Sequence, residues 1–481
     1  MKNPADLSAI EARRSIGARE LLPSDLVDAC IARIEARNPA VNAVITTDFE
    51  VARATAAAAD AALNTSTALP ALHGLPVLIK DLSRTKGLRT TFGSRCFADH
   101  VPDHDDIVVE RLRSAGAIVL GKTNTPEFGA GANTSNLVFG ATGNPYDPSV
   151  TSGGSSGGSA AALASHMVPL ASGSDLGGSL RIPASYCGVV GMRPSPGVVA
   201  SRSHVSGFSP LWTDGPMARS VKDLALMLSA ISGFDVRDPL CAPGLDFSFN
   251  ELHQIEDLAL ARVGFSTDLG VADVETDIAA LFAGRRSAIG QHFRSAQALD
   301  IDLSDAADIF RVLRAESLYA AYGALAEARP DEIGQNVRVN ILEATSLSLA
   351  DTAQADAGHT KLYRDFQQLF QHIDYLICPA TAVSPFPVAD NHPVAINGKP
   401  LTEYYAWYAI TWALSLTGCP VITLPCGFDA KGMPFGIQIV GPRHSDAKLL
   451  RIAHSLELAL AADGLGRVSP KFDAEASDTP E

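Results

Sequence analysis

Two glycine- and serine-rich segments stand close together in the chain, TSGGSSGGSAAALA (Thr151 to Ala164) and ASGSDLGGSLRIPA (Ala171 to Ala184). Each turns directly into an apolar helical run, which a flexible linker of the same composition has no reason to do. Between them the pattern predicts a helix running through Ala164 and a strand from about Val168 to Ala171. About nine helical residues advance about 13 Å at 1.5 Å each, and about five strand residues return about 16 Å at 3.3 Å each. The two lengths nearly cancel, so Ser155 and Ser179 are expected at the same edge of one sheet. Taken singly a GGSSGG cluster is a turn; two of them returning to one edge make a candidate site.

The rest of the pattern favours a layered α/β fold. The first 62 or so residues read as helices: Pro23, Ser24 and Asp25 open a run with Leu26, Val27, Cys30, Ile31 and Ile34 on one face, and an alanine-rich stretch from Val51 to Ala62 follows. After a loop from Asn64 to Pro70, short β-branched runs such as LPVLIK and AIVLG alternate with helical stretches such as Val221 to Ile231. From about Arg467 the hydrophobic period is lost, which predicts a loose tail.

Several features invite other functions and fail on their context. Gly116 to Thr123, GAIVLGKT, spells a phosphate-binding loop. Such a loop needs a strand before its first glycine and a helix beginning at its lysine. Here Asp105 and Asp106 cap a helix carrying Ile107, Val108 and Leu112, with Arg111 and Arg113 in its last turn, so Gly116 ends a helix and the next four residues are the strand. The cluster DHVPDHDD (Asp99 to Asp106) lacks a fixed ligand spacing and reads as a solvated loop and helix cap rather than a metal site. Seven scattered cysteines without a C-x-x-C pair suggest buried hydrophobes in a reducing compartment, and Cys187 packs a helix rather than acting as a nucleophile. A net charge of −15, from 38 basic and 53 acidic residues with no basic run, gives no footprint for nucleic acid or an anionic membrane. The polar start, MKNPADLSAIEARR, is not a secretory signal, and no apolar run approaches the ~18 residues of a membrane span, so a cytoplasmic location is expected.

At these loops the sequence resembles the amidase signature family. The family's pattern is Gly-Gly-Ser-Ser-Gly-Gly-Ser, then Gly-Ser-Asp-Thr-Gly-Gly-Ser-Ile-Arg-x-Pro-Ala and a Cys-Gly-Val-Val-Gly run; this chain reads GGSSGGS, GSDLGGSLRIPA and CGVVGMRP. LPVLIKDL and GKTNTPEFG upstream, and DGPMARSVKDLALML and GCPVITLPCGFDAKGMPFGIQIVGP downstream, look like further family blocks, so the likeness spans about residues 5 to 460. The resemblance implies a single large α/β/α layered domain with a central mixed twisted sheet, covering residues 66–466, with an N-terminal helical segment (1–65) packed on it and a tail (467–481).

The resemblance also implies a Ser, cis-Ser, Lys triad: Ser179 as nucleophile, Ser155 as bridging serine after a cis peptide from Gly154, and Lys80 as base. The N–H groups of Leu176, Gly177, Gly178 and Ser179 would form an oxyanion hole, and Ser156, Ser174, Asp175 and Arg181 would brace the loops. Leu176 stands where the family commonly has Thr, which removes a hydroxyl and keeps the backbone donor. The residue types suit the chemistry: a poor amide electrophile requires an activated hydroxyl, donors aimed at the oxyanion and a proton for the departing amine. Alone, Lys80 would read as a strand-end lysine paired with Asp81. To act as a base it must be neutral, a shift from about 10.4 to about 7–8, or roughly 4 kcal/mol. Leu75, Val77, Leu78 and Ile79 could supply that desolvation.

The expected function is hydrolysis of a small amide through a serine acyl-enzyme, with water as second substrate and without cofactor or metal; a homodimer is one assembly this allows. EYYAWYAITW (Glu403 to Trp412) reads first as a core helix and second as a pocket wall, and on the second reading the substrate is apolar or aromatic. Alternatives within the family are the glutaminase component of a tRNA-dependent amidotransferase and a carbamate or lactam hydrolase. Residues 197–214 depart from the pattern of the amidotransferase component, which favours a free-standing enzyme.

Overall fold

In the computed structural model, which describes residues 3–65, 68–201, 205–253 and 256–472, the short β-branched runs assemble into one sheet. Its strands are β1 (Val44–Thr47), β2 (Pro76–Lys80), β3 (Ile118–Thr123), β4 (Leu170–Asp175), β5 (Val190–Arg193), β6 (Thr213–Ala218), β7 (Arg262–Phe265), β8 (Ser295–Ala298), β9 (Tyr375–Pro379), β10 (Val421–Phe428) and β11 (Pro434–Val440). They run in the order β1-β3-β2-β4-β6-β5-β10-β11-β9-β7-β8. The sheet is mixed: β2 lies parallel to β3 and β4, and β7 parallel to β8 and β9, while β6 is antiparallel to β4 and β10 to β11.

Alternate strand residues feed two separate cores, which is what covering both faces with helices demands. Tyr375 and Ile377 of β9 join one core and Leu376 and Cys378 the other; Ile422 and Val421 of β10 divide likewise. The helices Pro23–Val41, Val221–Ile231 and Asp446–Ala462 cover the first face, and Ala306–Ala328, Leu349–Leu369 and Ala409–Leu416 the second.

Parallel pairing of β2 with β4 puts Lys80 and Asp175, the last residues of the two strands, at one edge of the sheet. The helix Gly157–Ala164 and β4 bring the chain out and back as the two-loop spacing requires, with β4 starting at Leu170, two residues later than expected. GAIVLGKT follows the helix Ile107–Ser114 and resolves as a left-handed Gly116 at φ +86° and β3, which runs through Gly121, Lys122 and Thr123. Lys122 therefore sits in a strand, where its ammonium donates to the Ser83 carbonyl, to Thr85 Oγ1 at 3.0 Å and to Thr90 Oγ1 at 3.1 Å. In the loop before that helix, Asp105 and Asp106 accept from the backbone N–H groups of Lys86 and Arg84 at 2.6 and 2.7 Å.

One element was not expected. The segment up to residue 62 contains, besides its helices, the strand β1, which pairs antiparallel with β3 through Val44 and Thr123. Four residues between two helices are too few to impose a period of two on the sequence.

The helix Gly157–Ala164 is wholly buried, and Gly158 is where it meets the backbone of its neighbours. A Cβ there would lie 2.7 Å from the carbonyl oxygens of both Ala43 and Asn124. Gly158→Ala is expected to cost about 1–3 kcal/mol, read as a lower urea midpoint; an unchanged midpoint would mean that the interface yields without loss.

Candidate active site

Lys80 closes β2, a strand whose residues are all buried, and its own side chain is 1% exposed. Its Nζ lies 2.7 Å from Ser155 Oγ and 3.0 Å from Ser174 Oγ. Loss of water pushes its pKa down to about 7, against the opposing pull of Asp175 and Asp214. A neutral amine is thus well populated near neutral pH, with a lone pair for a serine proton. Asp81 is not its partner: the Asp81 carboxylate accepts from the Thr91 N–H at 3.0 Å and hydroxyl at 2.6 Å, and stands 3.9 Å from Lys122.

The Gly154–Ser155 peptide is cis. Gly154 has no room for a side chain, since a Cβ would lie 2.9 Å from the Ala132 carbonyl carbon. The two serine loops are tied together directly: the Ser156 N–H donates to the Ser179 carbonyl at 3.2 Å, and Ser156 Oγ lies 3.4 Å from both the N and the O of Ser174.

Asp175 organises the second loop. Its carboxylate accepts from the N–H groups of Gly178 (2.8 Å) and Leu180 (3.1 Å) and from Arg181 Nε (3.0 Å) and Nη2 (2.9 Å). Burial alone would raise its pKa, but Arg181, Arg193 and the backbone donors outweigh it and hold the carboxyl well below the usual range. Arg181 in turn reaches the Thr411 carbonyl, Gln438 Oε1 and Ser415 Oγ, each at 2.8 Å. Asp175, Arg181, Ser156 and Ser174 thus tie the two loops to each other and to the helix Ala409–Leu416.

Gly178 departs from expectation, because its N–H is turned to Asp175 and is not offered to the cavity. The N–H groups of Leu176, Gly177 and Ser179 have no acceptor among the described residues. Gly178 lies at φ +131°, the region glycine tolerates, and this conformation lets the loop fold back on the carboxylate.

Ser155, Ser174, Leu176, Gly177 and Ser179 line a cavity of about 40 Å³. The remaining walls are apolar or aromatic: Phe128 to Ala132, Trp212, Phe310 and Leu318, with Arg314 and Tyr408 adding polar atoms. Ser179 is half-buried and Ser155 fully so, which leaves the former the more accessible hydroxyl. A larger cavity, about 570 Å³ and bounded by Glu256, Asp374 and Arg451, contains neither loop. Volume without convergent reactive groups does not make a site.

The aromatic segment serves both readings given to it. Trp407 and Trp412 are buried, with Trp412 stacked on Phe310 at 4.8 Å between ring centroids, whereas Tyr408 reaches the cavity. Thr411 of the same segment donates to the Gly177 carbonyl at 2.7 Å. Sequence reasoning gave no role to Phe128, Trp212, Phe310, Arg314, Leu318 or Arg193. Phe128 and Arg193 lay inside recognised blocks, while the helix Ala306–Ala328 carries no motif at all.

A mixed α/β frame with a buried lysine, two facing serine loops and an apolar cavity defines an amide-bond hydrolase. The chain belongs to the amidase signature family: the family model described as Amidase matches residues 25–450. It is 34% identical over 455 residues to an acylamidase of Rhodococcus erythropolis, covering 94% of this chain and 95% of that one. It is also 34% identical to a glutamyl-tRNA(Gln) amidotransferase subunit of Synechococcus sp. (strain WH7803), covering 94% of this chain and 97% of that one. The crystal structure of a bacterial aryl acylamidase of the same family superposes with a TM-score of 0.88 at 27% identity, over 94% of this chain and 96% of that one. Among the described residues no helix is long and apolar enough to cross a membrane.

Asp175→Asn removes the charge that compensates two buried arginines. We expect it to lower stability by about 3–5 kcal/mol, measured as a fall in the denaturation midpoint; a midpoint equal to that of the natural chain would show that Arg181 and Arg193 find other partners.

Proposed function

We propose that the chain is a free-standing serine amidohydrolase for small apolar or aromatic amides. The observation that carries this reading is the neutral-leaning Lys80 amine 2.7 Å from Ser155 Oγ, in the wall of the cavity that also holds Ser179. Lys80 Nζ accepts the Ser155 proton while Ser155 Oγ accepts that of Ser179, and Ser179 Oγ forms a bond to the carbonyl carbon. The N–H groups of Leu176, Gly177 and Ser179 receive the developing oxyanion. When the C–N bond breaks, the proton returns along the same path to the leaving amine. Water then attacks the acyl-enzyme by the same relay and releases the acid. Ser174, 3.0 Å from Nζ, keeps the lysine aimed at Ser155.

The aromatic walls support an apolar or aromatic substrate, and likeness to an acylamidase and an aryl acylamidase points the same way. A second reading, the glutaminase component of an amidotransferase, draws on the equal identity to the Synechococcus protein. The two separate on the purified chain alone. Turnover of aryl amides or anilides without partners supports the first, whereas silence on these with weak release of ammonia from glutamine moves the second ahead.

Ser179→Ala is expected to reduce turnover by a factor on the order of 10⁴ or more while the fold is kept; activity surviving at the natural level would end the assignment. Lys80 must be neutral to act, so with its pKa near 7 the rate should fall with unit slope as pH drops below about 7. Lys80→Ala should lose a factor on the order of 10²–10⁴ together with that acid limb. Retention of the limb would assign the base to another group.

A further inference from the structure

A second chamber adjoins the cavity of Ser155 and Ser179, and the two share Phe128, Leu176, Trp212 and Leu318 as a common wall. It has a volume of about 100 Å³ and extends past Leu82 and Phe92 to Tyr322 and Arg84. Tyr322 stacks on Phe128, ring centroids 3.9 Å apart, so the passage between the chambers is flanked by packed rings. Apart from serine and tyrosine hydroxyls and the Trp212 ring nitrogen, the walls are apolar, and Arg84 is the one charged side chain among the described lining residues.

The chain itself sets the distance of that charge from the reacting centre. Lys80 ends β2 and the chain turns at once, the Ser83 N–H donating to the Lys80 carbonyl at 3.1 Å, with Leu82 inside the turn and Arg84 just after it. Four residues cover at most about 14 Å even when extended, and the turn brings Arg84 nearer than that. A substrate tail the length of a substituted ring or a five-carbon chain fits within this limit.

The guanidinium has donors to spare. Asp106 Oδ1 lies 3.5 Å from Arg84 Nη1, an ion pair longer than an ordinary N–H···O bond. Asp106 Oδ2 accepts from the backbone N–H of Arg84 at 2.7 Å, so one carboxylate oxygen anchors the main chain while the other pairs with Nη1 alone. The Phe92 ring, 5.6 Å from the guanidinium carbon, supports one face. The Nε–Nη2 side of the guanidinium, which makes no hydrogen bond among the described residues, faces a largely apolar chamber and matches a carboxylate in shape and charge.

We propose that this second chamber receives the distal part of the substrate and that Arg84 selects amides whose apolar or aromatic portion ends in a carboxylate. The proposal rests on the amidohydrolase reading above and adds a specificity-determining residue and a substrate class to it.

Two matched pairs of amides test it. The 4-nitroanilides of glutaric and valeric acids place a carboxylate or a methyl group at the end of the acyl part, and N-butyryl-4-aminobenzoate and N-butyryl-4-toluidine do so in the amine part. The quantity read is the ratio of kcat/KM, carboxylate over neutral, within each pair. In the natural chain one pair is expected to give a ratio of about ten or more, falling to about one or below in Arg84→Gln. Ratios near one in both pairs, or a ratio untouched by Arg84→Gln, overturn the proposal. Calorimetric binding of the same four compounds to Ser179→Ala separates the two claims. Tighter binding of the carboxylate member without any turnover by the natural chain sustains the Arg84 site and refutes the hydrolase reading for these amides. Turnover of both members with equal binding sustains the hydrolase and refutes the Arg84 site.

Discussion

The buried ion pair of Asp175 and Arg181 holds the site together. Asp175 closes β4, and its carboxylate gathers two backbone N–H groups of the following loop along with both arginines. Arg181 carries the connection to the helix Ala409–Leu416 and to Gln438 of β11, while Arg193 carries it to the carbonyl of Leu211 at 2.7 Å. A loop of glycines has little stiffness of its own. Charge-assisted hydrogen bonds in a water-free setting give it one conformation, at the cost of making every partner indispensable.

The same exclusion of water acts on Lys80 in the opposite sense. Asp175 has cations and N–H donors close enough to stay charged, whereas Lys80 has serine hydroxyls and is displaced toward its neutral form. Asp214, buried nearby, is pushed up to about 7, first by loss of water and then by Asp106, with Lys80 pulling the other way. One low-dielectric pocket thus holds an ion pair and groups displaced toward their neutral forms, and the difference lies in the partners each was given.

Much of this was legible beforehand because it is local or nearly so. The helix Val221–Ile231 follows from its apolar period, the end of a helix at Gly116 from capping chemistry, and the return of both serine loops to one edge from residue lengths. The strand β1 escaped because four residues carry too little pattern. The family pattern implies an oxyanion donor at Gly178, but its N–H is committed to Asp175, since the direction of a loop N–H depends on which carboxylate folds beneath it.

Sequence by itself determined the α/β class and the return of the two serine loops to one edge, because spacing and periodicity encode where each element begins and ends, whereas the place of Lys80 beside them was implied by the family resemblance. Tertiary structure alone decided the depth at which Lys80 is buried, which N–H groups remain open, and which distant side chains close the cavity. Phe310 and Leu318 reach it from a helix that carries no motif, and nothing in their local sequence states that they meet there. Burial and orientation are properties of how whole elements pack, so they come into being only when the sheet and both helical layers are assembled.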